Sequence, residues 1–304
     1  MNRQLSLILI FIAATLWGVI GIFVTYLYKM GFTPFQVVAI RVSTAFLFLL
    51  IYTLAKDLRY LKIKPLDSRY FMGTGIISIV LFNWCLFSAM EETSISIAFV
   101  LLYTAPIFVT IFSKFFLNES FTLRKLAALC MTFTGCTLVI GLFPKMEGSI
   151  SLYGLLLGLG AGLFYALYSI LGKYALAKYN SLTVTVYTFL FASLAAVPFS
   201  QIWKITHLLS NVTLLIVIGL GFLSTMLPFL LYTKGLENVE SSRASIIATV
   251  EPVVASLTGY LIFNEKLDSW QYFGIVLVIA SVIIVQDSSK SLQRDSQMSK
   301  ASNM

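Results

Sequence analysis

Charge is the scarcest commodity in this chain. Only 11% of its residues are Asp, Glu, Lys or Arg, where a soluble domain carries about 25%. No water-facing surface of ordinary composition can be built from it. Histidine is nearly absent: His207 is the only one, and it falls in a predicted loop as a solvated side chain. The three cysteines, Cys85, Cys130 and Cys136, lie inside apolar stretches. They show no metal-ligand or redox spacing, and their odd number argues against a disulfide framework. They read as small apolar packing residues. No phosphate-binding glycine loop occurs, which argues against nucleotide-driven pumping by this chain alone. The sequence therefore offers no cofactor, no metal site and no catalytic constellation.

What is present is apolar sequence: 59% of the 304 residues are hydrophobic and the mean hydropathy is +0.91. It is organised as ten stretches, roughly 5–28, 34–54, 70–90, 95–117, 123–143, 151–177, 181–200, 211–233, 243–263 and 270–286. About 20 apolar residues wound as a helix span the roughly 30 Å hydrocarbon core of a bilayer. Backbone polar groups in lipid need internal partners, so each stretch is expected to be helical. The first stretch is too long for a typical signal-peptide core and is read as a retained span. The fold expected is an all-α membrane protein of ten transmembrane helices.

The formal net charge of +8 has a topological reading, not a nucleic-acid one. Lys56, Arg59, Lys62, Lys64 and Arg69 crowd the longest loop, and Arg124, Lys125, Lys173, Lys178, Lys234 and Arg243 fall on the same side. Lys29, Lys145, Lys204 and Lys266 fall on the other. Positive charge accumulates on cytoplasmic loops, so both termini are expected in the cytoplasm.

The chain also repeats itself. At an offset of 146, Asn118-Glu119 meets Asn264-Glu265, Pro106 meets Pro252, Ser96 meets Ser242, Glu91 meets Glu237, Ser78 meets Ser224 and Gly75 meets Gly221. Random apolar helices would share Leu and Ile, not Pro, Asn, Glu and Gly in order. Each half has an odd number of spans, so the halves would cross the membrane in opposite senses, a recurring transporter arrangement. The expected units are a first five-helix repeat over 5–144, a second over 151–286, and a disordered, polar tail over 287–304.

Together these features resemble the EamA-type branch of the drug/metabolite transporter superfamily. The residues carrying the resemblance are Leu16-Trp17-Gly18, Ala39-Ile40-Arg41, Pro106 with Asn118-Glu119, Glu251-Pro252-Val253, Phe263-Asn264-Glu265 and Gly274. The resemblance covers residues 7 to 286. It implies a secondary transporter that exports amino acids or related small metabolites through a central cavity between the halves. Uptake or facilitated diffusion, an intramembrane enzyme, and a receptor or assembly subunit are the alternative functions.

Within the spans, Glu251 is the sharpest candidate for the substrate or ion pathway. It lies eight residues beyond Arg243, about 12 Å along a helix, where a carboxylate is costly and often functional. It suits a proton carrier or a cation contact; the alternative is a structural group beside Pro252. Arg41 suits a substrate carboxylate, an acidic partner such as Glu91 or Glu92, or snorkelling to the interface. Trp17, Asn83, Trp84, Tyr103, Tyr165 and Tyr168 supply the hydrogen-bonding tips that a small-metabolite cavity uses. Pro106, Pro228 and Pro252 are hinge candidates, whereas the Gly154, Gly158 and Gly162 stripe reads as close helix packing. Asp268 and Gln271 are spaced as a capping box. The partners implied are a small-molecule substrate and the lipid bilayer, with a proton or other cation as a further candidate. Nucleic acid is excluded and the oligomeric state is left open.

Overall fold

Hydrocarbon offers no hydrogen bonds to a backbone, and this chain answers with helices alone; no strand occurs among the described residues. The computed structural model describes residues 2–142, 151–208 and 210–302, with the side chains of Thr206, His207 and 287–302 excepted. Lys145, the boundary at 144 and the His207 side chain thus lie outside the described residues.

In chain order the helices are α1 (Arg3–Gly18), α2 (Ile20–Lys29), α3 (Pro34–Lys56), α4 (Ser68–Met72), α5 (Phe82–Glu92), α6 (Ile95–Leu102), α7 (Ala105–Phe116) and α8 (Leu123–Val139). There follow α9 (Leu152–Leu176), α10 (Ser181–Ser200), α11 (Asn211–Gly221), α12 (Leu227–Leu236), α13 (Ser241–Ala248), α14 (Val250–Phe263) and α15 (Ser269–Ser302). Several join end to end. A π-helical stretch, Gly73–Leu81, links α4 to α5, and another, Phe222–Met226, links α11 to α12. Nine helical segments among the described residues are long and apolar enough to cross a membrane. The expected fifth stretch forms α8, whose 17 residues reach about 25 Å.

Starts and stops follow local chemistry. Pro34 follows the Thr33 cap, and Thr33 and Gln36 form a capping box at α3. Ser94, Thr122, Ser151, Asn180 and Ser210 each accept an amide of the first turn they precede. The expected Asp268–Gln271 box forms in both directions, at 2.8 and 3.0 Å. Asn118 and Asn264 end α7 and α14 in the left-handed region, at φ 55° and 57°, a conformation Asn tolerates. The backbone of α15 continues beyond the expected last span as far as Ser302. A helix already nucleated by an apolar span extends without a new nucleation cost.

The helices touch through small residues. A Cβ on Gly154, Gly158 or Gly162 of α9 would meet Thr93, Leu101 or Thr104, so the stripe seats α9 against α6 and its approach. Gly135 of α8 and Gly274 of α15 lie back to back: a methyl group added to either would stand 3.0 Å or less from the other's carbonyl oxygen. Thr132 Oγ1 donates to Ser281 Oγ across the same seam at 2.8 Å. Gly274→Ala is therefore expected to destabilise the protein by about 1–3 kcal/mol. Gly172→Ala, where nothing stands within 4 Å of the added methyl, is expected to be neutral or slightly stabilising. Thermal unfolding in detergent checks both.

Candidate substrate cavity

The breaks in the helices converge on one cavity of about 280 Å³. α1 and α2 part at Val19, bringing Trp17, Ile20, Gly21 and Val24 to its wall. Phe82, Asn83, Leu86 and Phe87 come from α5, beside the first π-helical stretch. Gly18 is what allows α14 to approach α1: a Cβ there would stand 2.7 Å from the carbonyl oxygen of Glu251. That contact sets Glu251, in the first turn of α14, at the cavity. The positive end of a helix favours an anion at such a position.

Two opposite charges face this space. Arg41 of α3 and Glu251 both line it, and among the described residues no ion pair joins them. The Arg41 Nε is buried without a hydrogen-bond partner, as is the indole Nε1 of Trp17. A buried donor left unsatisfied costs about 1–3 kcal/mol, so both donors are poised for a group that enters the cavity. The remaining walls are largely aromatic and aliphatic, including Phe82, Phe99 and Phe229. Among the described residues no group of three or more His, Cys, Asp or Glu side chains is arranged to hold a metal.

A smaller polar recess continues inward, sharing Trp17, Arg41, Asn83 and Tyr165 with the main cavity and adding Ser78, Ser169 and Tyr168. Its floor is hydrogen bonded. Tyr168 OH pairs with Thr233 Oγ1 at 2.7 Å, and Ser169 Oγ with Tyr232 OH at 2.8 Å. Phe229 stacks edge-on to Trp17, Tyr168 and Phe189, with ring centroids 5.0–5.2 Å apart. The mouth lies at the other end, where Tyr28, Val37, Met90 and Ile95 flank the connections at 30–33 and 93–94.

Beneath the floor, on the basic face of the bundle, lies a partly buried ionic cluster. Lys125 Nζ stands 3.2 Å from Glu240 Oε2 and 4.0 Å from Glu119 Oε2. Arg243 Nε pairs with Glu240, and Lys234 with Glu237 at 2.7 Å. Burial pushes the Glu240 carboxyl upward, but Lys125 and Arg243 together hold it below the usual carboxylate range.

The expected site residues divide accordingly. Glu251, Arg41, Asn83, Trp17 and Tyr165 line the cavity, and Tyr168 lines its recess. Trp84 does not: one position along α5 turns it about 100° from Asn83, and it is exposed on the outer surface. Nor does Tyr103, which is buried against Cys136, Val139, Val253 and Val278. Glu91 and Glu92 are exposed and form no ion pair with Arg41 among the described residues. Pro106, Pro228 and Pro252 stand just after the break at Tyr103–Thr104, the second π-helical stretch and the break at Thr249. Ser169 and Thr233 escaped the sequence reading, and Ser78 entered it only as a repeat match, because isolated hydroxyls are common in such helices. The one available signal was polarity facing Tyr168 and Tyr232. A double-mutant cycle on Tyr168→Phe and Thr233→Val is expected to give a coupling of about 0.6 kcal/mol, the usual size for such pairs in membranes, in thermal unfolding.

Known proteins share this architecture. An uncharacterized transporter of Archaeoglobus fulgidus is 28% identical over 283 residues, 90% of this chain and 94% of that one. An uncharacterized transporter of Bacillus subtilis is 27% identical, covering 93% of this chain and 90% of its own. The S-adenosylmethionine uptake transporter of Rickettsia bellii is 26% identical over 203 residues, 66% of this chain and 67% of its own. A crystal structure with 16% sequence identity superposes with a TM-score of 0.79 over 93% of this chain and 98% of its own, which shows the shared fold. The profile of the EamA-like transporter family fits residues 4–141 and again 152–286. Matched twice over nearly all its length, the chain belongs to the EamA-like transporter family and is a multi-pass protein of the cell membrane, not an enzyme.

Proposed function

We propose that this protein is a secondary transporter that exports amino acids or related small metabolites by alternating access through the cavity at Arg41 and Glu251. The observation that carries the substrate class is the pair of opposite, mutually unbonded charges in one largely apolar cavity. A zwitterion offers a carboxylate to Arg41 and an ammonium to Glu251, and an apolar side chain to the aromatic wall. Without a substrate, Glu251 is free to take a proton, which makes a proton the natural coupling ion.

The topology proposed has ten spans in two inverted repeats, 5–144 and 151–286, with both termini cytoplasmic. Several observations support it. The family profile fits the chain twice. α6 begins at Ile95 and ends at Leu102, while α13 begins at Ser241 and ends at Ala248, both shifted by 146. Both halves carry a π-helical stretch, and both end a helix on a left-handed Asn. The basic face then lies in the cytoplasm, so the cavity mouth faces outward. Pro106, Pro228 and Pro252, each beside a break, are the hinges about which the halves rock.

A second reading, uptake, is favoured by the name of the Rickettsia bellii relative. S-adenosylmethionine itself ends in an ammonium and a carboxylate. One experiment tests both directions. Purified protein in liposomes is given labelled amino acids and S-adenosylmethionine, with a pH gradient imposed or absent. Protein-dependent flux of zwitterions is expected. Arg41→Gln is expected to raise KM about tenfold or more, as losing a charge-assisted hydrogen bond does. Glu251→Gln is expected to abolish the response to the pH gradient. Unchanged KM in the first variant and an unchanged gradient response in the second would overturn the site.

A further inference from the structure

The ionic cluster on the basic face contains a contact that crosses between the two halves of the chain. Glu119, in the connection after α7, accepts hydrogen bonds from Ser241 N at 2.6 Å, Ser242 N at 3.1 Å and Ser242 Oγ at 2.6 Å. These are the first two amides of α13, which have no acceptor within the helix. The carboxylate also meets the positive end of the helix dipole. Its side chain is 8% exposed, and the Lys125 ammonium lies 4.0 Å away. The backbone aims it: Asn118 is left-handed at φ 55°, and Glu119 N donates to Ser113 O at 3.0 Å.

The same device exists at the other end of the molecule, unengaged. Asn264 is left-handed at φ 57°, and Glu265 N donates to Gly259 O at 3.2 Å; each position is its counterpart shifted by 146. The helix start equivalent to Ser241-Ser242 is Ile95-Ser96, at the head of α6. Among the described residues nothing accepts the amides of Ile95 and Ser96, since Ser94 caps Ile97 instead. Glu265 is exposed, and its carboxylate has no hydrogen bond or ion pair among the described residues. Ile95, 66% exposed, forms part of the cavity mouth. The latched end is the closed end, and the unlatched end is the open one.

We propose that Glu119 and Glu265 are alternating latches: Glu119 on Ser241-Ser242 holds the basic face shut, and Glu265 on Ile95-Ser96 holds the mouth shut in the opposite state. The proposal rests on the alternating-access reading above. It also sets a bias. The counterpart of Lys125 at the other end is Gln271, a neutral side chain that donates to Val139 O at 3.0 Å. Only the Glu119 latch is braced by a buried ammonium, so the state open at the mouth is the resting one.

The test is the distance between spin labels on the full-length protein in lipid nanodiscs. One pair, at the exposed Ser120 and Asn238, spans the basic face; the other, at the exposed Glu91 and Lys266, spans the mouth. Glu119→Gln, which leaves a single acceptor oxygen, is expected to raise the ratio of basic-face-open to basic-face-closed conformers about tenfold or more. The distance across the mouth shortens in step. Ser242→Ala is expected to shift the ratio in the same direction by less, and serves if Glu119→Gln does not fold. Adding Glu265→Gln to Glu119→Gln is expected to lengthen the mouth distance again. Distances identical to the parent protein in Glu119→Gln and Ser242→Ala would overturn the Glu119 latch. A mouth distance that stays short in the double variant would overturn the Glu265 latch. The outcome is separable from the transport reading: distances that move without solute flux keep the latches and remove the transporter, and flux with unmoved distances does the reverse.

Discussion

The constraint on which everything else depends is that a backbone carbonyl released inside the membrane must find a donor from the protein itself. Four of the breaks in the helical ladder meet it with a hydroxyl or amide placed a few residues on. In the first π-helical stretch, Ser78 Oγ donates to Gly73 O at 3.1 Å and Asn83 Nδ2 to Ile79 O at 2.7 Å. In the second, Thr225 Oγ1 donates to Leu220 O at 2.9 Å. At the break between α6 and α7, Thr104 Oγ1 takes Leu101 O, and between α13 and α14, Thr249 Oγ1 takes Ile246 O, both at 2.6 Å. The breaks are thereby stable without water. They widen the bundle where the cavity lies, and leave the rest of each helix unbroken where it meets lipid.

Charge follows from the same constraint. The lipid-facing surface is apolar, as Ile51, Leu215 and Val276 illustrate, so ionised side chains are confined to the two faces and the interior. On the basic face they are mutually compensated: Lys125 and Arg243 are almost fully buried, yet each has carboxylate partners. Removing one partner from such a cluster is costly because the other charge stays buried. In the cavity the opposite holds. Arg41 and Glu251 lie in the same space with no ion pair between them. A structural pair would have closed on itself; here the buried Arg41 Nε keeps an unsatisfied bonding capacity.

Which parts of this were legible in the sequence depends on how expensive each residue is in lipid. Glu251 and Arg41 stand out because a charge inside an apolar run has few benign explanations. The helices were legible from their length, and the Asp268–Gln271 box from its spacing. Trp84 and Tyr103 lie outside the cavity lining for a geometric reason: an aromatic side chain suits lipid, core or cavity equally, and only the helix phase decides. Trp84 differs from Asn83 by one step of phase, and Tyr103 sits at a break whose direction the sequence does not encode. The π-helical stretches were invisible because their mark, a Ser or Thr five residues after a freed carbonyl, looks like any other hydroxyl in an apolar helix. Glu119 was read as an appendage to a capping Asn; its partners at Ser241 and Ser242 are 122 and 123 residues away, and no local pattern announces them.

The departures from the 146-residue repeat are as informative as its matches. Ala105 stands where the other half has Glu251, and Gln271 where it has Lys125. A duplicated chain with two identical halves would hold its two faces at equal energy and carry a charged group twice across the cavity. On the proposed transport reading, replacing one carboxylate by a methyl group leaves a single acidic site on the pathway, which one proton neutralises. On the latch proposal, replacing one ammonium by an amide makes the closure of one face stronger than the closure of the other. On the proposed alternating-access reading, symmetry in the backbone supplies two interchangeable shapes, while asymmetry in these few side chains decides which shape rests and which one must be driven.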